Sequence, residues 1–345
     1  MPRKIHAARL ARRNLFVAFP AAVAFAALSA SAANAKTFTM ATDKVGSTFN
    51  AMGTAVAKVI TAAGKDRVVV KAFGGPEAYL RGLESGEVDL AVLSSTSAYY
   101  AFHGKNKQKT AYKGLRILRA GDGGLKVTFV VPASSNIHSY KDLKGQKVAS
   151  SYGGHAVIVP TIAGALATVG LSWNDVVQVP VTGVTGGIDA IAAGRAVASW
   201  SSYGMPKTRE LHAKMGVRYI GFENTPETLK TLREKVFPGI KLGLTKAEPK
   251  IGLPKDAYLI TYESYILASP KLSKEDATRI LQTLWDKTPD LQAAHRSLKG
   301  FVKEDAASEI PVVPYHPAAI EFYKAQKLWG DKQEKANAAV AAQVK

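Results

Sequence analysis

The chain has 345 residues, no cysteine and a formal net charge of +19. Its 47% hydrophobic content supports an ordinary packed core. That excludes a disordered chain, and the lack of thiols excludes disulfide staples, cysteine nucleophiles and thiolate metal sites.

Arg3, Lys4, Arg9, Arg12 and Arg13 form a basic head with no acidic residue. An apolar run from Leu15 to Leu28 follows, and small residues lead to Ala33-Asn34-Ala35, an A-x-A cleavage pattern. Residues 1–35 therefore read as a secretory signal peptide whose apolar run is too short to span a membrane. Arg12-Arg13 fits either an ordinary basic head or a twin-arginine signal. Residues 36–345 suffice for two domains or two lobes of one. The expected location is the periplasm. The densest basic cluster, Lys105, Lys107 and Lys109 beside Lys113, has no interleaved aromatic platform for bases. No nucleic-acid partner is expected, and the charge reads as solubility and long-range attraction of anions.

Phe38 to Ala41 reads as a strand entering a turn at Gly46-Ser47-Thr48. A helix follows, with Phe49, Met52, Val56, Val59 and Ile60 on one face. Ser47 or Thr48 is placed as its N-cap. The capped helix start after a strand can hold an anionic group on its outward amides, or the hydroxyl can simply cap a structural helix. Arg67 to Phe73 reads as the next strand. Gly74-Gly75-Pro76-Glu77 then opens a helix carrying Tyr79, Leu80 and Leu83, which Gly86 ends. Val88 to Leu93 is a short apolar strand running into Ser94, Ser95, Thr96 and Ser97.

Leu115 to Ala120 and Lys126 to Val131 read as further strands. Ser139 to Ala149 reads as a short helix, a glycine stop and a strand. That strand ends in Ser150-Ser151-Tyr152-Gly153-Gly154-His155, before a long apolar helix from about Ala156 to Val169. Ile188 to Ala193 looks helical. Gly194 to Trp200 reads as turn and strand, ending in Ser201-Ser202-Tyr203-Gly204. The two halves thus repeat one design, an α/β architecture with hydroxyl-rich strand ends, where ligands of such sheets bind. Residues 223–257 form a loop-and-helix excursion. Tyr258 to Ser269 reads as one strand returning to the first lobe. Glu275 to Trp285 and Thr288 to Leu298 read as helices, Ile310 to Pro317 as an extended segment, and Ile320 to Leu328 as a final helix. The expected division is lobe I at 36–131 and 258–330, lobe II at 132–257, and a polar tail at 331–345.

No Gly-x-Ser-x-Gly elbow, dinucleotide glycine fingerprint or phosphate loop is present. His103, His138, His155, His212, His295 and His316 never pair at a metal-ligand spacing. His155 alone sits in a ligand-like Gly-Gly turn, where it is either a site residue or a surface-loop histidine. No catalytic residue, metal or cofactor is expected.

The order of segments resembles the TAXI family of periplasmic solute-binding proteins, the receptors of TRAP-type transporters. The residues that carry the resemblance are Thr42 to Gly53, Gly75 with Glu77-Tyr79-Leu80, and Leu83-Glu84-Ser85-Gly86-Glu87-Val88-Asp89-Leu90-Ala91. They continue with Ile137 to Val148, Ala293-Ala294-His295, Pro314-Tyr315-His316-Pro317 and Phe322-Tyr323. The resemblance covers nearly all of residues 36–345. It implies a two-lobed periplasmic-binding-protein-like fold of type II with the ligand cleft between the lobes. It also implies a TRAP permease as membrane partner, no chemistry on the ligand, and small carboxylate or dicarboxylate ligands such as glutamate. The departures lie in the turns: Val45-Gly46-Ser47-Thr48-Phe49-Asn50 replaces Gly-Gly-Thr-Tyr-Tyr-Pro, and Ser151-Tyr152-Gly153-Gly154-His155 replaces Gly-Ser-Gly-Thr.

The expected ligand site combines Gly46, Ser47, Thr48, Phe49, Gly75, Ser94 and Ser95 with Ser151, Tyr152, Gly154, His155, Ser202 and Tyr203. Phe49, Tyr152 and Tyr203 are either cleft walls or core. A monomer binding a small anion is expected. The alternatives are an exported enzyme on the same scaffold, using His155 beside Ser151, and a sensory protein acting through another membrane partner.

Overall fold

The computed structural model describes residues 35–344 except 106, 108 and 123, so the expected signal peptide lies outside the described residues. β1 (Lys36–Thr42) leads into α1 (Thr48–Ala62), β2 (Asp66–Ala72) into α2 (Pro76–Ser85), and β3 (Leu90–Ser94) into α3 (Ser95–Phe102). β4 (Arg116–Gly121) and β5 (Lys126–Pro132) follow. The middle of the chain holds β6 (Lys147–Ser150), α4 (Ile158–Ala167), β7 (Val177–Pro180), α5 (Val184–Ala192), β8 (Ser199–Ser202), α6 (Pro206–Met215), β9 (Val217–Tyr219) and α7 (Pro226–Lys235). The last third holds β10 (Lys241–Thr245), β11 (Ala257–Thr261), β12 (Ser264–Ala268), α8 (Lys274–Asp286), α9 (Thr288–Ala294), α10 (Pro317–Ala325) and α11 (Asp331–Ala341). No helix among the described residues is long and apolar enough to cross a membrane.

Local rules account for these boundaries. Ser47 caps α1, its hydroxyl accepting from the Asn50 amide at 3.1 Å, and Met52, Val56, Val59 and Ile60 turn one face inward. Pro76 opens α2 and Gly86, at φ +85°, closes it in the left-handed conformation that glycine tolerates.

The strands form two five-stranded sheets. The first runs β2-β1-β3-β12-β4, with β1 parallel to β2 and β3, and β12 antiparallel to β3 and β4. The second runs β10-β11-β5-β8, with β9 also on β5. β6 and β7 pair in parallel and join the start of β8 through a Val148–Ala198 bridge. Each sheet has its own apolar core: Met40, Val56, Leu83 and Ile266 lie in one, Phe129, Val148, Ile162 and Ile260 in another.

The chain passes between the sheets from β4 to β5 and again from β11 to β12. This changes two sequence expectations. Residues 126–131 and 258–261, assigned above to lobe I, belong to β5 and β11, which pair in the second sheet. The single strand expected from Tyr258 to Ser269 is two, broken at Tyr262-Glu263. Both halves are equally apolar, so composition gives no signal of the change of sheet. The expected polar tail is α11, whose Asn337 is buried and accepts the Tyr315 amide at 2.8 Å.

Glu263, at the second crossing, is buried. Its carboxylate accepts Ser308 Oγ at 2.7 and 2.9 Å and the Tyr265 hydroxyl at 2.7 Å. Burial pushes its pKa up from 4.5 to about 7, against the opposing pull of those donors. Between these values the folded chain keeps a proton that the unfolded chain releases. Stability contributed by the neutral carboxyl is therefore complete below pH 4.5 and lost as pH rises through about 7. The loss is of order 3 kcal/mol at about 1.4 kcal/mol per pH unit. Glu263→Gln should flatten this slope in urea melts taken from about pH 5 to pH 8, at a cost of about 1 kcal/mol from altered hydrogen bonds at the acidic end. An unchanged slope would exclude Glu263 as its source.

Candidate functional site

The site forms where strand ends of both lobes meet. Asp43 directly follows β1 and is buried. Its Oδ1 accepts the Tyr79 hydroxyl at 3.4 Å, and its Oδ2 accepts His155 Nε2 at 3.0 Å. Burial, reinforced by Asp43, holds the Tyr79 hydroxyl well above its ordinary pKa, so it remains a donor. Asp43 and Tyr79 come from the first lobe and His155 from the second. Along the same seam, Thr48 Oγ1 and Ser202 Oγ lie 2.5 Å apart, and the Lys207 amide donates to the Gly46 carbonyl at 3.1 Å.

Two glycine turns bring the lobes into backbone contact. Gly75 has φ +148°, and a Cβ there would stand 2.3 Å from the Gly154 carbonyl oxygen. A Cβ on Gly154 would stand 2.3 Å from the Gly74 carbonyl oxygen. Only glycine permits this approach.

Behind the seam lies a partly open cavity of about 50 Å³. Its polar wall is Asp43, Ser47, Thr48, Ser94, Ser202 and His155, with Ser97 beside Ser94. Its apolar wall includes Phe49, Leu125, Ile158, Trp200, Met205 and Tyr262. Helix starts converge on it. Ser47, Thr48 and Phe49 open α1, Ser94 caps α3, and Val157, Val184 and Met205 stand at the starts of α4, α5 and α6. The first amides of a helix lack intrahelical acceptors and carry the positive end of its dipole.

Of the residues expected from sequence, Ser47, Thr48, Phe49, Ser94, His155 and Ser202 line the cavity. Gly46, Gly75 and Gly154 lie on the seam instead, making backbone contacts. Ser95 is buried, and its amide donates to the Glu263 carbonyl at 2.8 Å, outside the cavity. Ser151, at φ +65°, is exposed. Tyr152, at φ +40°, turns into the second lobe's core, where its hydroxyl accepts the Trp200 amide at 2.8 Å. Tyr203 faces a separate open cleft beside the crossings, its hydroxyl 2.9 Å from Glu248 and its ring under the Arg296 guanidinium.

Ser97 belongs to the hydroxyl-rich strand end expected at the ligand edge, whereas Asp43, Trp200, Met205 and Tyr262 were not expected in the site. Asp43 alone had a usable signal, its position at a strand end one step before the chosen turn.

His155 is the one candidate for a catalytic base. Its Nε2 is taken by Asp43, and its buried Nδ1 has no hydrogen-bond partner among the described residues, so no hydroxyl is held against it as a nucleophile. Among the described residues, no group of three or more His, Cys, Asp or Glu side chains could hold a metal.

Two sheets joined by two crossing strands, with helix starts facing a cavity between them, define the two-lobed periplasmic-binding-protein fold. A solved structure described as a periplasmic transporter shares it, with a TM-score of 0.55, 12% identity, and 90% of this chain and 98% of that chain covered. The alkanesulfonate-binding protein SsuA from Xanthomonas axonopodis pv. citri, bound to MOPS, aligns at 0.47 with 16% identity over 86% of this chain and 95% of its own. An ancestral arginine-binding protein bound to arginine aligns at 0.46 with 14% identity, over 77% and 98%. At 12% identity the first of these likenesses is one of fold. The family is defined by sequence: the NMT1-like family matches residues 40–326, and the chain belongs to it.

Gly154 lies outside the left-handed region, so alanine there adds no backbone strain and collides only with the other lobe. Gly154→Ala is expected to hold the lobes apart with little change in melting temperature. Small-angle scattering should then give a larger radius of gyration than the unaltered chain gives under the same conditions. An equal radius would show that the glycine contact does not limit how closely the lobes approach.

Proposed function

We propose that the protein is a periplasmic solute receptor that captures a small organic carboxylate between its lobes and presents it to a membrane permease. One observation carries the proposal: helix starts from both lobes converge on one cavity at the carboxyl ends of their strands. The positive ends of the helix dipoles that point there suit a carboxylate. Ligand bridging both lobes favours the closed arrangement by its differential affinity for it. The resemblance to TAXI receptors supports a TRAP-type permease as the partner, with export by residues 1–35. It also supports carboxylates, dicarboxylates and glutamate-like solutes as the ligand range to test. No hydroxyl among the described residues is held against His155 Nδ1 as a nucleophile, which supports capture without turnover.

Trp200 lines the cavity, so ligand should change the protein's tryptophan fluorescence, and Trp200→Phe should remove most of that change. The paired change Ser47→Ala with Thr48→Ala is expected to weaken binding by about tenfold or more and to cost about 1 kcal/mol of stability from the lost cap. Unchanged affinity with the same stability loss would reduce these two residues to helix capping.

A further inference from the structure

Outside the Asp43–His155 pair, the lobes bound an open groove of about 570 Å³. Lys44, Val45 and Phe73 of the first lobe line one side, and Thr182, Val184 and Thr185 of the second line the other. His155 and Val184 line both this groove and the cavity behind it, so the two spaces adjoin. No carboxylate lines the groove.

Its second-lobe side is the start of α5, a helix of 9 residues. No side chain caps this helix, and its first turn holds no acid. The amides of Val184, Thr185 and Gly186 meet no acceptor among the described residues. The starts of α1 and α3 differ, because Ser47 Oγ takes the Asn50 amide and Ser94 Oγ takes the Ser97 amide. Two buried side chains point the same way. Thr185 is 4% exposed and lines the groove, and its hydroxyl makes no hydrogen bond among the described residues. His155 is 6% exposed, and its Nδ1 is without a partner among them. A Cβ on Gly183, the residue before α5, would stand 3.4 Å from that nitrogen, so the unpaired edge of the ring faces the helix start. On the first-lobe side, Lys44 is exposed and pairs with no carboxylate among the described residues.

Resting on the receptor role above, the geometry points to an oxyanion subsite in this groove. A carboxylate, sulfonate or phosphoryl group of the captured solute accepts the α5 amides and the Thr185 hydroxyl, with His155 Nδ1 beside it and Lys44 facing it from the other lobe. A buried donor left unpaired costs free energy, which such a group recovers. Because its partners come from both lobes, the group favours their approach. The groove also has room for the body of a small solute, which the cavity of about 50 Å³ lacks.

The test is calorimetric titration of the purified protein with sulfate, phosphate, butanedioate and glutamate, each referred to chloride at equal ionic strength. Gly183 has an extended backbone, at φ 170°, so Gly183→Asp fits the chain and sets a capping carboxylate on the α5 amides. Gly183→Ala adds the same Cβ without the carboxylate. At least one of the anions is expected to bind, about tenfold or more weaker to Gly183→Asp than to Gly183→Ala. Thr185→Val and Lys44→Gln, which leave the backbone as it is, should each weaken it about threefold. Butanedioate or glutamate binding equally to Gly183→Asp and Gly183→Ala, with no loss in Thr185→Val or Lys44→Gln, would overturn the subsite and leave the receptor role standing. Sulfate or phosphate binding in the expected pattern, with neither organic acid bound, would uphold the subsite and overturn the carboxylate as the solute's acid group. Binding by none of these anions would overturn the subsite.

Discussion

The contact between Asp43 and His155 is the constraint on which the cleft depends. Both side chains are buried, and each takes its partner from the opposite lobe. Held apart, both would return to water; held together, each answers the other's need for a polar partner. Such a pair adds little net stability, because desolvation consumes most of its attraction. Its geometric consequence is a polar contact that joins the two lobes at the cleft. Thr48 and Ser202 repeat the pattern one step further in, and the Gly74-Gly75 and Gly153-Gly154 turns bring the backbones close enough for it.

The architecture behind the seam makes that meeting adjustable. Each lobe has its own sheet and core, and two crossings join them, from β4 to β5 and from β11 to β12. A change of angle at the crossings therefore need not disturb either core. The second crossing carries the buried Glu263, tied to Ser308 and Tyr265 in the first lobe. The strand–turn–helix order repeats in both lobes, from β1 to α1 and β3 to α3, and from β6 to α4, β7 to α5 and β8 to α6. Repetition of one local design on two facing sheets is what aims so many helix starts into one small space.

Much of this could be read from residue order. Ser47 as a cap, the Pro76 helix start, the Gly86 stop and the serine-rich ends of β3 and β8 follow from local rules and appear as expected. The aromatic side chains do not follow such rules. Phe49 faces the cavity, Tyr152 is core and Tyr203 borders another cleft, although all three occupy similar turns. An aromatic ring suits a ligand wall and a core equally well, and only the direction of its Cα–Cβ bond separates them. For Tyr152 that direction depends on a positive φ, which residue type does not announce. The His316-Pro317 pair, prominent in the sequence, has a local structural role. His316 Nδ1 accepts the Ala318 amide at the start of α10, and its Nε2 lies 3.1 Å from the Leu272 carbonyl oxygen.

By itself, the sequence determined the α/β class, the repeated strand–turn–helix design and the hydroxyl groups at the ligand end of the sheets. All of these rest on interactions within a few residues of one another, such as caps, glycine stops and helical periodicity. Tertiary structure alone decided that β5 and β11 belong to the second sheet, that Asp43 meets His155, and that Trp200, Met205 and Tyr262 complete the cavity. Asp43 and His155 are 112 positions apart in the chain. Their pairing depends on the angle at which two independently packed lobes come together, a quantity that no local pattern encodes.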